Sequence, residues 1–562
     1  MQDFRLFKKN HLILVLLALV TVILFQNCSS GYDSTSTGED SASQGGGTAP
    51  PPVNPPPVNP PPGPAPSLSG LFVTLPATGT TDVILHPSAQ AVGVSNQTVI
   101  FGLPFPRGAV SDANLIRVLD GAGQEIPAQV SALNFWRDFQ NPAQIISIRS
   151  VRIVLQRTFA NTNPVTIRIQ YGVSRNLNLA GNFVPTDYWQ SIAVGPNPTE
   201  YPAAANVREP IVYATLSPQW MSQSLLQTRT TTANSIAAYG VFDTAFLAHS
   251  NTVVTGAAYQ TGSEPWLYDR AQTLYIAYFR TGDLVRLRHA HRAAQFYKAN
   301  IGNNGAFALG GDAKYVYGQS MLYDYMLLAD ESLLAVIERA TLPHAGWPTN
   351  FSANTNFWTE RNSAYALQAV LAAFDAVGTA AYATRARALF NSYFSMQQTP
   401  INNWLKNGCP LHTAAQHDPS EDLPAVVCSP WMGALLSEAV WKYYLLSGDN
   451  NALIYLADYA DYIQAYALYS EGNVRLPYYG ASSFGTTDPD GDREHACDVF
   501  GALARGFWAK RALARNAANL QADVTALLSS CQNNVSSSGL SPLRKYSWWF
   551  GTNSDFAWFL TQ

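Results

Sequence analysis

The spacing of apolar residues changes character once along this chain. From residue 68 to about 200, short runs rich in Val and Ile are broken by Gly, Pro, Asn and Asp, as in Thr98-Val99-Ile100-Phe101, Leu115-Ile116-Arg117-Val118 and Val165–Tyr171. Ser147-Ile148-Arg149-Ser150-Val151-Arg152-Ile153-Val154 alternates polar with apolar, which predicts a strand with one wet face. Asp120-Gly121-Ala122-Gly123 supplies a turn between strands. Strands at this spacing predict a small barrel or a sandwich.

From Trp266 the period lengthens to that of a helix, and one unit recurs: an aromatic-rich helix, a tight turn, a second amphipathic helix. Copies run Tyr268–Arg280 with Leu284–Ala299, Gln319–Leu328 with Glu331–Ala340, Glu360–Ala376 with Ala380–Phe394, and Pro430–Leu446 with Asn450–Leu468; a fifth spans His495–Leu528. Recurrent hairpins predict an α/α solenoid or a closed toroid. Long, irregular connections at 342–359, 398–429 and 470–494 favour the toroid, whose loops build one functional face; a scaffold repeat keeps its links short. The expected fold class is β then α, with a β-barrel or sandwich over 67–200 and an (α/α) toroid over 201–562.

The first 66 residues belong to neither unit. Arg5, Lys8 and Lys9 precede an apolar run from Leu12 to Phe25, too short for a comfortable membrane span, which predicts an export signal over 1–27. Cys28 stands directly behind it and resembles the lipidated cysteine of bacterial lipoproteins; with Ser29 next, that resemblance implies an outer-membrane anchor. Residues 28–66 turn from Ser, Gly and Thr to mostly proline, which cannot bury a core. In polyproline II the proline stretch makes a spacer of about 50 Å.

Charged residues are only 13% of the chain and the net charge is −4. With no Lys/Arg stripe, this argues against a nucleic-acid partner. Aromatics at 12%, beside many Asn, Gln, Ser and Thr, suit an oligo- or polysaccharide ligand. Four cysteines remain after Cys28, and in an exported chain they predict disulfides. Chain proximity favours Cys409–Cys428 and Cys497–Cys531, and none has the CxxC spacing of a structural zinc site.

Phe101-Gly102-Leu103-Pro104-Phe105-Pro106-Arg107-Gly108, Arg117-Val118-Leu119-Asp120, Ile126-Pro127-Ala128-Gln129, Trp136 and Ser147-Ile148-Arg149 follow a distinctive order. Over residues 97–155 it resembles the N-terminal RIFT-barrel domain of exo-rhamnogalacturonan lyase-like proteins. That resemblance implies a six-stranded barrel ahead of a glycan-processing (α/α) toroid. It departs at Trp136-Arg137-Asp138, which an insertion separates from Ser147.

Helix N-termini carry partial positive charge and open N–H groups, which favour carboxylates. Candidate chemistry therefore lies at helix starts and in the long loops. Trp358, Arg361, Asn362 and Tyr365 share one helical face beside Glu360. His412, His417, Asp418, Glu421 and Asp422 crowd a loop that Cys409 and Cys428 would pin, ahead of the helix start Ser429-Pro430. His495 and Asp498 lie one turn apart behind the acid-rich stretch 488–494; no cofactor is expected, a structural Ca2+ at that stretch being the one exception. Tyr315 and Tyr317 precede another helix, and Arg270 opens the first hairpin.

On a uronate-containing glycan these groups support β-elimination. Arg361 and Asn362 neutralise the carboxylate, His417 removes the adjacent proton, and Tyr317 or Tyr315 protonates the leaving oxygen. Trp358, Glu360, Tyr365, Asp418, Glu421, His412, His495, Asp498 and Arg270 are the expected sugar contacts. A glycosidase would instead pair two carboxylates among Glu360, Asp418, Glu421 and Asp498. The third reading is a tethered glycan-binding lipoprotein without catalysis.

Overall fold

The computed structural model describes residues 70–191, 208–254, 266–308, 310, 312–350, 359–399, 408–413, 426–480 and 493–562. The signal, the tether and Cys28 lie outside the described residues.

The first unit is built from β1 (Gly79–Pro87), β2 (Gln97–Pro104), β3 (Ile116–Leu119), β4 (Glu125–Ile126), β5 (Ala128–Arg137), β6 (Ile145–Arg157), β7 (Val165–Tyr171), β8 (Trp189–Ser191), β9 (Arg208–Pro210) and β10 (Val212–Leu216). Two antiparallel sheets result, ordered β10-β1-β7-β3-β4 and β2-β6-β5, with β8 and β9 paired apart. Val83, Leu85, Ile167 and Ile169 of the first sheet join Phe101, Leu103, Ile153 and Leu155 of the second in one core. No ladder links the two sheets among the described residues, so they form a sandwich-like pair; the closed barrel implied by the resemblance is not what the ladders show. Because β10 pairs with β1, the β unit takes the chain back after residue 200 and ends at Leu216.

Most of the wet face predicted for β6 is dry: Ser147, Arg149 and Ser150 are buried. Arg149 and Ser150 lie under the helical unit and Ser147 against the Gly108 N–H of its own unit at 2.8 Å, while Arg152 is half-buried. Arg149 lies over the Trp136 ring at 3.8 Å, donates to both Asp375 oxygens at 3.3 Å, and donates to the Leu225 carbonyl at 2.9 Å. Ser150 Oγ donates to the Met326 carbonyl at 2.9 Å. Polar alternation marks a face that needs hydrogen bonds, and a second domain meets that need as well as water does.

The helices are α1 (Pro218–Ser224), α2 (Gly240–Thr252), α3 (Arg270–Thr281), α4 (Leu284–Ala299), α5 (Gln319–Leu328), α6 (Leu334–Arg339), α7 (Glu360–Val377), α8 (Ala380–Gln398), α9 (Pro430–Ser447), α10 (Asn450–Tyr462), α11 (Ala496–Ala512), α12 (Ala518–Ser537), α13 (Lys545–Phe550) and α14 (Phe556–Leu560). The tight turns follow capping chemistry. Gly282 and Gly448, both at φ +68, end their helices in the left-handed conformation, and Asp283 and Asp449 cap the helices that follow.

Helices α3, α5, α7, α9 and α11 pack side by side in chain order, and α13 touches both α11 and α3, which closes a ring. Their hairpin partners α4, α6, α8, α10 and α12 lie outside. The sixth outer place goes to α2, which packs on α12, α13 and α3. The hairpin reading missed this pair because its members come from opposite ends of the helical unit.

The β unit seals one end of the ring, where α5 and α7 finish. A Cβ on Gly102 would lie 2.0 Å from the Met326 carbonyl oxygen, so β2 approaches α5 as closely as a backbone can. A cavity of ≈ 20 Å³ between Trp136, Arg149, Gln227, Gln319 and Lys442 is left at this floor, room for about one water. Disulfides join Cys409 to Cys428 and Cys497 to Cys531, which fits an oxidising, extracytoplasmic compartment. No described helix is long and apolar enough to cross a membrane.

Replacing Asp375 with Ala strands the buried Arg149 guanidinium without its carboxylate. We expect a loss of about 3–5 kcal/mol, read as a lower urea midpoint with an unchanged slope.

Candidate functional site

The inner helices all begin at the end opposite the β unit.

Four of these helix starts build a single column of flat groups. The Arg361 guanidinium lies 5.6 Å from the centre of Trp431. Trp431 stacks on His495 at 4.4 Å and 12°, Trp548 lies against His495 at 4.6 Å, and Arg544 covers Trp548 at 4.8 Å. The imidazole is thus held between two indoles with a guanidinium at each end of the column. Its Nδ1 meets Asp498 Oδ2 at 2.6 Å, while Thr552 donates to Asp498 Oδ1 at 3.1 Å. A carboxylate on one ring nitrogen fixes the orientation of the other.

Tyr268 enters this column from the start of α3 by an unusual backbone route. Tyr268 and Asp269 are both left-handed, at φ 71° and 49°, a conformation that costs a non-glycine residue about 1–3 kcal/mol. Two braces hold it. The Tyr317 hydroxyl accepts the Tyr268 N–H at 2.8 Å and donates to the Lys314 carbonyl at 2.7 Å. The Asp269 carboxylate accepts from the backbone N–H of Gln272 at 3.0 Å and of Ser320 at 3.3 Å, tying α3 to α5. The Tyr268 ring then sits among Tyr365, Trp431 and Trp548, with its hydroxyl bonded to Arg361.

Burial pushes the Tyr268 hydroxyl up to about 12, with Arg361 partly offsetting it. Burial likewise raises Asp269 to about 6, against the backbone N–H groups that favour its charge. On Arg361 burial works against the charge, but Tyr268, Tyr365 and Asp312 outweigh it and hold the guanidinium above its ordinary value.

Of the residues singled out from sequence, Arg361, Tyr365, His495 and Asp498 come together here, and Asn362 follows Arg361 in the first turn of α7. Asn362 Oδ1 and the Tyr365 hydroxyl are buried without a hydrogen-bond partner among the described residues, as are the indole N–H groups of Trp431 and Trp548. Tyr317 corrects the acid assigned to it: its proton lies on Lys314 and its lone pair on the Tyr268 amide, so it braces backbone. Tyr315 lies under the Lys314 ammonium at 5.5 Å, and its carbonyl accepts from Tyr297. Arg270 turns away toward α2, stacking on Trp266 at 4.6 Å and donating to the Val253 carbonyl at 3.3 Å, so it is not a sugar contact. Glu360 and His412 are fully buried against each other at 2.8 Å, beside the Cys409–Cys428 disulfide, which removes both from direct sugar contact. Trp358, His417, Asp418 and Glu421 lie outside the described residues.

Sequence reasoning missed Tyr268, Trp431, Trp548 and Arg544. Trp431 was within reach, since it follows the Ser429-Pro430 helix start directly. Trp548 is hidden in the aromatic run Tyr546–Phe550, which reads as core.

No family model matches this chain, and no curated protein does. Solved structures are similar to it at low identity. A sugar epimerase from a ruminal bacterium is 15% identical with a TM-score of 0.34, covering 47% of this chain and 74% of that one. An unsaturated glucuronyl hydrolase specific for heparin is 10% identical with a TM-score of 0.40, covering 58% and 98%. A mutant unsaturated glucuronyl hydrolase from Streptococcus agalactiae is 11% identical with a TM-score of 0.38, covering 60% and 95%. These scores are low, and the ring stands on its own helix contacts.

Asp269 gives a pH test. Its folded pKa of about 6 exceeds that of the unfolded carboxyl. Between the two values the folded chain binds more protons at this site, so the contribution of Asp269 to stability is full at acid pH and is lost as pH rises through about 6. An Asp269→Asn variant should flatten that slope in denaturation curves taken from pH 4 to pH 7; an unchanged slope assigns it to other groups.

Proposed function

We propose that the open end of the ring takes an anionic saccharide, and that the chain is a carbohydrate-active enzyme cleaving uronate-containing glycans by β-elimination. The observation that carries this reading is the Tyr268–Arg361 pair set against the His495–Asp498 pair in one aromatic column. Arg361, with Asn362 beside it, neutralises the uronate carboxylate, and C5–H becomes acidic because the negative charge of its conjugate base spreads onto that group. His495, oriented by Asp498, takes the C5 proton. The electron pair forms the C4–C5 double bond, the C4–O4 bond breaks, and O4 takes the Tyr268 proton. A hydroxyl with a pKa near 12 stays protonated at neutral pH and can give that proton. His417 competes with His495 for the base's role, and variants separate the two.

A glycosidase needs two available carboxylates across the bond. Of the carboxylates named for that role, Asp498 is engaged with His495 and Thr552 and Glu360 with His412, while Asp418 and Glu421 lie outside the described residues. In this reading the enzyme works outside the cytoplasm, with Cys28 as its lipid anchor.

The test offers the protein a panel of uronate polysaccharides. Elimination gives new ultraviolet absorbance from the unsaturated uronate, whereas new reducing ends without it mean hydrolysis and overturn the reading. Arg361→Ala, Tyr268→Phe and His495→Asn should each lower kcat by about 10²–10⁴-fold. A variant that turns over normally removes its residue from the chemistry.

A further inference from the structure

We infer that Trp431 and Trp548 meet the ligand through their indole N–H edges, and that the glycan carries two oxyanions here, the uronate carboxylate at Arg361 and a second one at Trp548 and Arg544. The second oxyanion presupposes the anionic-saccharide reading of the open end and adds one group to it.

The faces of both indoles are taken. Trp431 lies between the Arg361 guanidinium at 5.6 Å and the His495 imidazole at 4.4 Å and 12°. Trp548 lies between His495 at 4.6 Å and the Arg544 guanidinium at 4.8 Å. Tyr268 meets each of them edge to face, at 82° and 72°. The two indoles are only 5% and 8% exposed. A sugar stacks on an open aromatic face, and neither ring offers one. What each has left is its N–H, buried and without a hydrogen-bond partner among the described residues. An unpaired buried donor is costly, so an acceptor that reaches it is bound strongly.

The unpartnered atoms of the column define the chemistry of that acceptor. The N–H groups of Trp431 and Trp548 and the Nε–H of Arg361 can only donate, the Tyr365 hydroxyl can do either, and Asn362 Oδ1 can only accept. A neutral sugar presents hydroxyls, which need acceptors as much as donors. A carboxylate or a sulfate ester presents acceptors alone. Charge agrees with this. Guanidiniums stand at both ends of the column, and its described carboxylate, Asp498, is committed to His495 and Thr552. Burial raises the Tyr268 pKa, and Arg361 and then Arg544 oppose that rise, so both cations bear on one hydroxyl. The starts of three long helices, α7, α9 and α11, add partial positive charge. One carboxylate at Arg361 serves the Trp431 side of the column. A second oxyanion, on the same sugar or the next, serves the Trp548 N–H with Arg544 over the same ring.

The test reads binding, so it does not depend on cleavage. The full chain carrying Tyr268→Phe, which keeps the ring and removes the proposed acid, is titrated calorimetrically with three oligosaccharides of equal length. One alternates uronate with a neutral sugar, one adds a sulfate ester to that neutral sugar, and one is uronate throughout. A doubly charged chain should bind about 10–100-fold tighter than the first, the range of a hydrogen bond to a charged group; the tighter of the two names the second group as sulfate or carboxylate. Trp548→Phe and Arg544→Gln should remove that advantage and affect the first oligosaccharide much less. The inference is overturned if the three bind alike, or if both variants weaken all three by the same factor, as a packing role alone predicts. The comparison of ligands decides even where a variant is destabilised. Selective binding of the doubly charged chains without cleavage by the parent protein would fault elimination and leave the two-anion site standing, whereas no binding of any of the three overturns both.

Discussion

Consecutive antiparallel hairpins force every inner helix of the ring to run the same way. The chain enters each hairpin from one end, turns tightly at the other, and returns on the outside, so inner N-termini accumulate at one end and inner C-termini at the other. The two ends then differ in chemistry: one presents open N–H groups and the other open carbonyls. The β unit sits on the carbonyl end and brings donors to it. Ser150 donates to the Met326 carbonyl at 2.9 Å and Asn134 to that of Asp375 at 2.8 Å, and Arg149 donates to the Leu225 carbonyl that ends α1 at 2.9 Å. The β unit thus covers this end, and the N–H end carries the column of Arg361, Trp431, His495, Trp548 and Arg544.

Between the two ends the interior of the ring carries polar groups that meet across helices. Gln272 on α3 and Gln227 before α2 donate to the same Glu438 oxygen, at 2.7 and 2.9 Å, and Lys442 lies 3.3 Å from it. Burial lowers the Lys442 pKa, with Glu438 and Asp269 opposing that shift. Such a network resists rearrangement, because separating any pair leaves a polar atom unpaired at low dielectric. Asp269 joins it to the open end, since the side chain that ties α3 to α5 also follows Tyr268 in the chain. The position of the tyrosine is therefore set by the same bonds that hold the ring.

Much of this architecture is legible in the sequence wherever the controlling interaction is local. Gly282-Asp283 and Gly448-Asp449 mark turns because a left-handed stop and an N-cap each act within a few residues. The Asp120 turn is equally local, with its carboxylate accepting from the backbone of Ala122 at 2.9 Å and Gln124 at 2.8 Å. What the sequence hides depends on contacts between distant segments. The pairing of α2 with α13, the dry face of β6 and the burial of Arg270 each follow from which surface a remote element covers. His495 and Asp498 were visible as a spaced pair, but the indoles on either side of the imidazole come from α9 and α13. No local pattern announces such a stack.

The backbone at Tyr268 shows which part of the site is under constraint. A glycine would adopt φ 71° without the steric penalty of a side chain. The chain instead carries a tyrosine there, followed by a second left-handed residue, and commits the Tyr317 hydroxyl to holding its amide. An ordinary helix start needs none of this; Ser429 and Thr359 cap α9 and α7 from extended conformations. The left-handed pair turns the Tyr268 ring toward Trp431 and Trp548 and delivers its hydroxyl to Arg361. Strain of this kind persists only where surrounding contacts over-determine it, and here those contacts converge on placing one phenol beside one guanidinium.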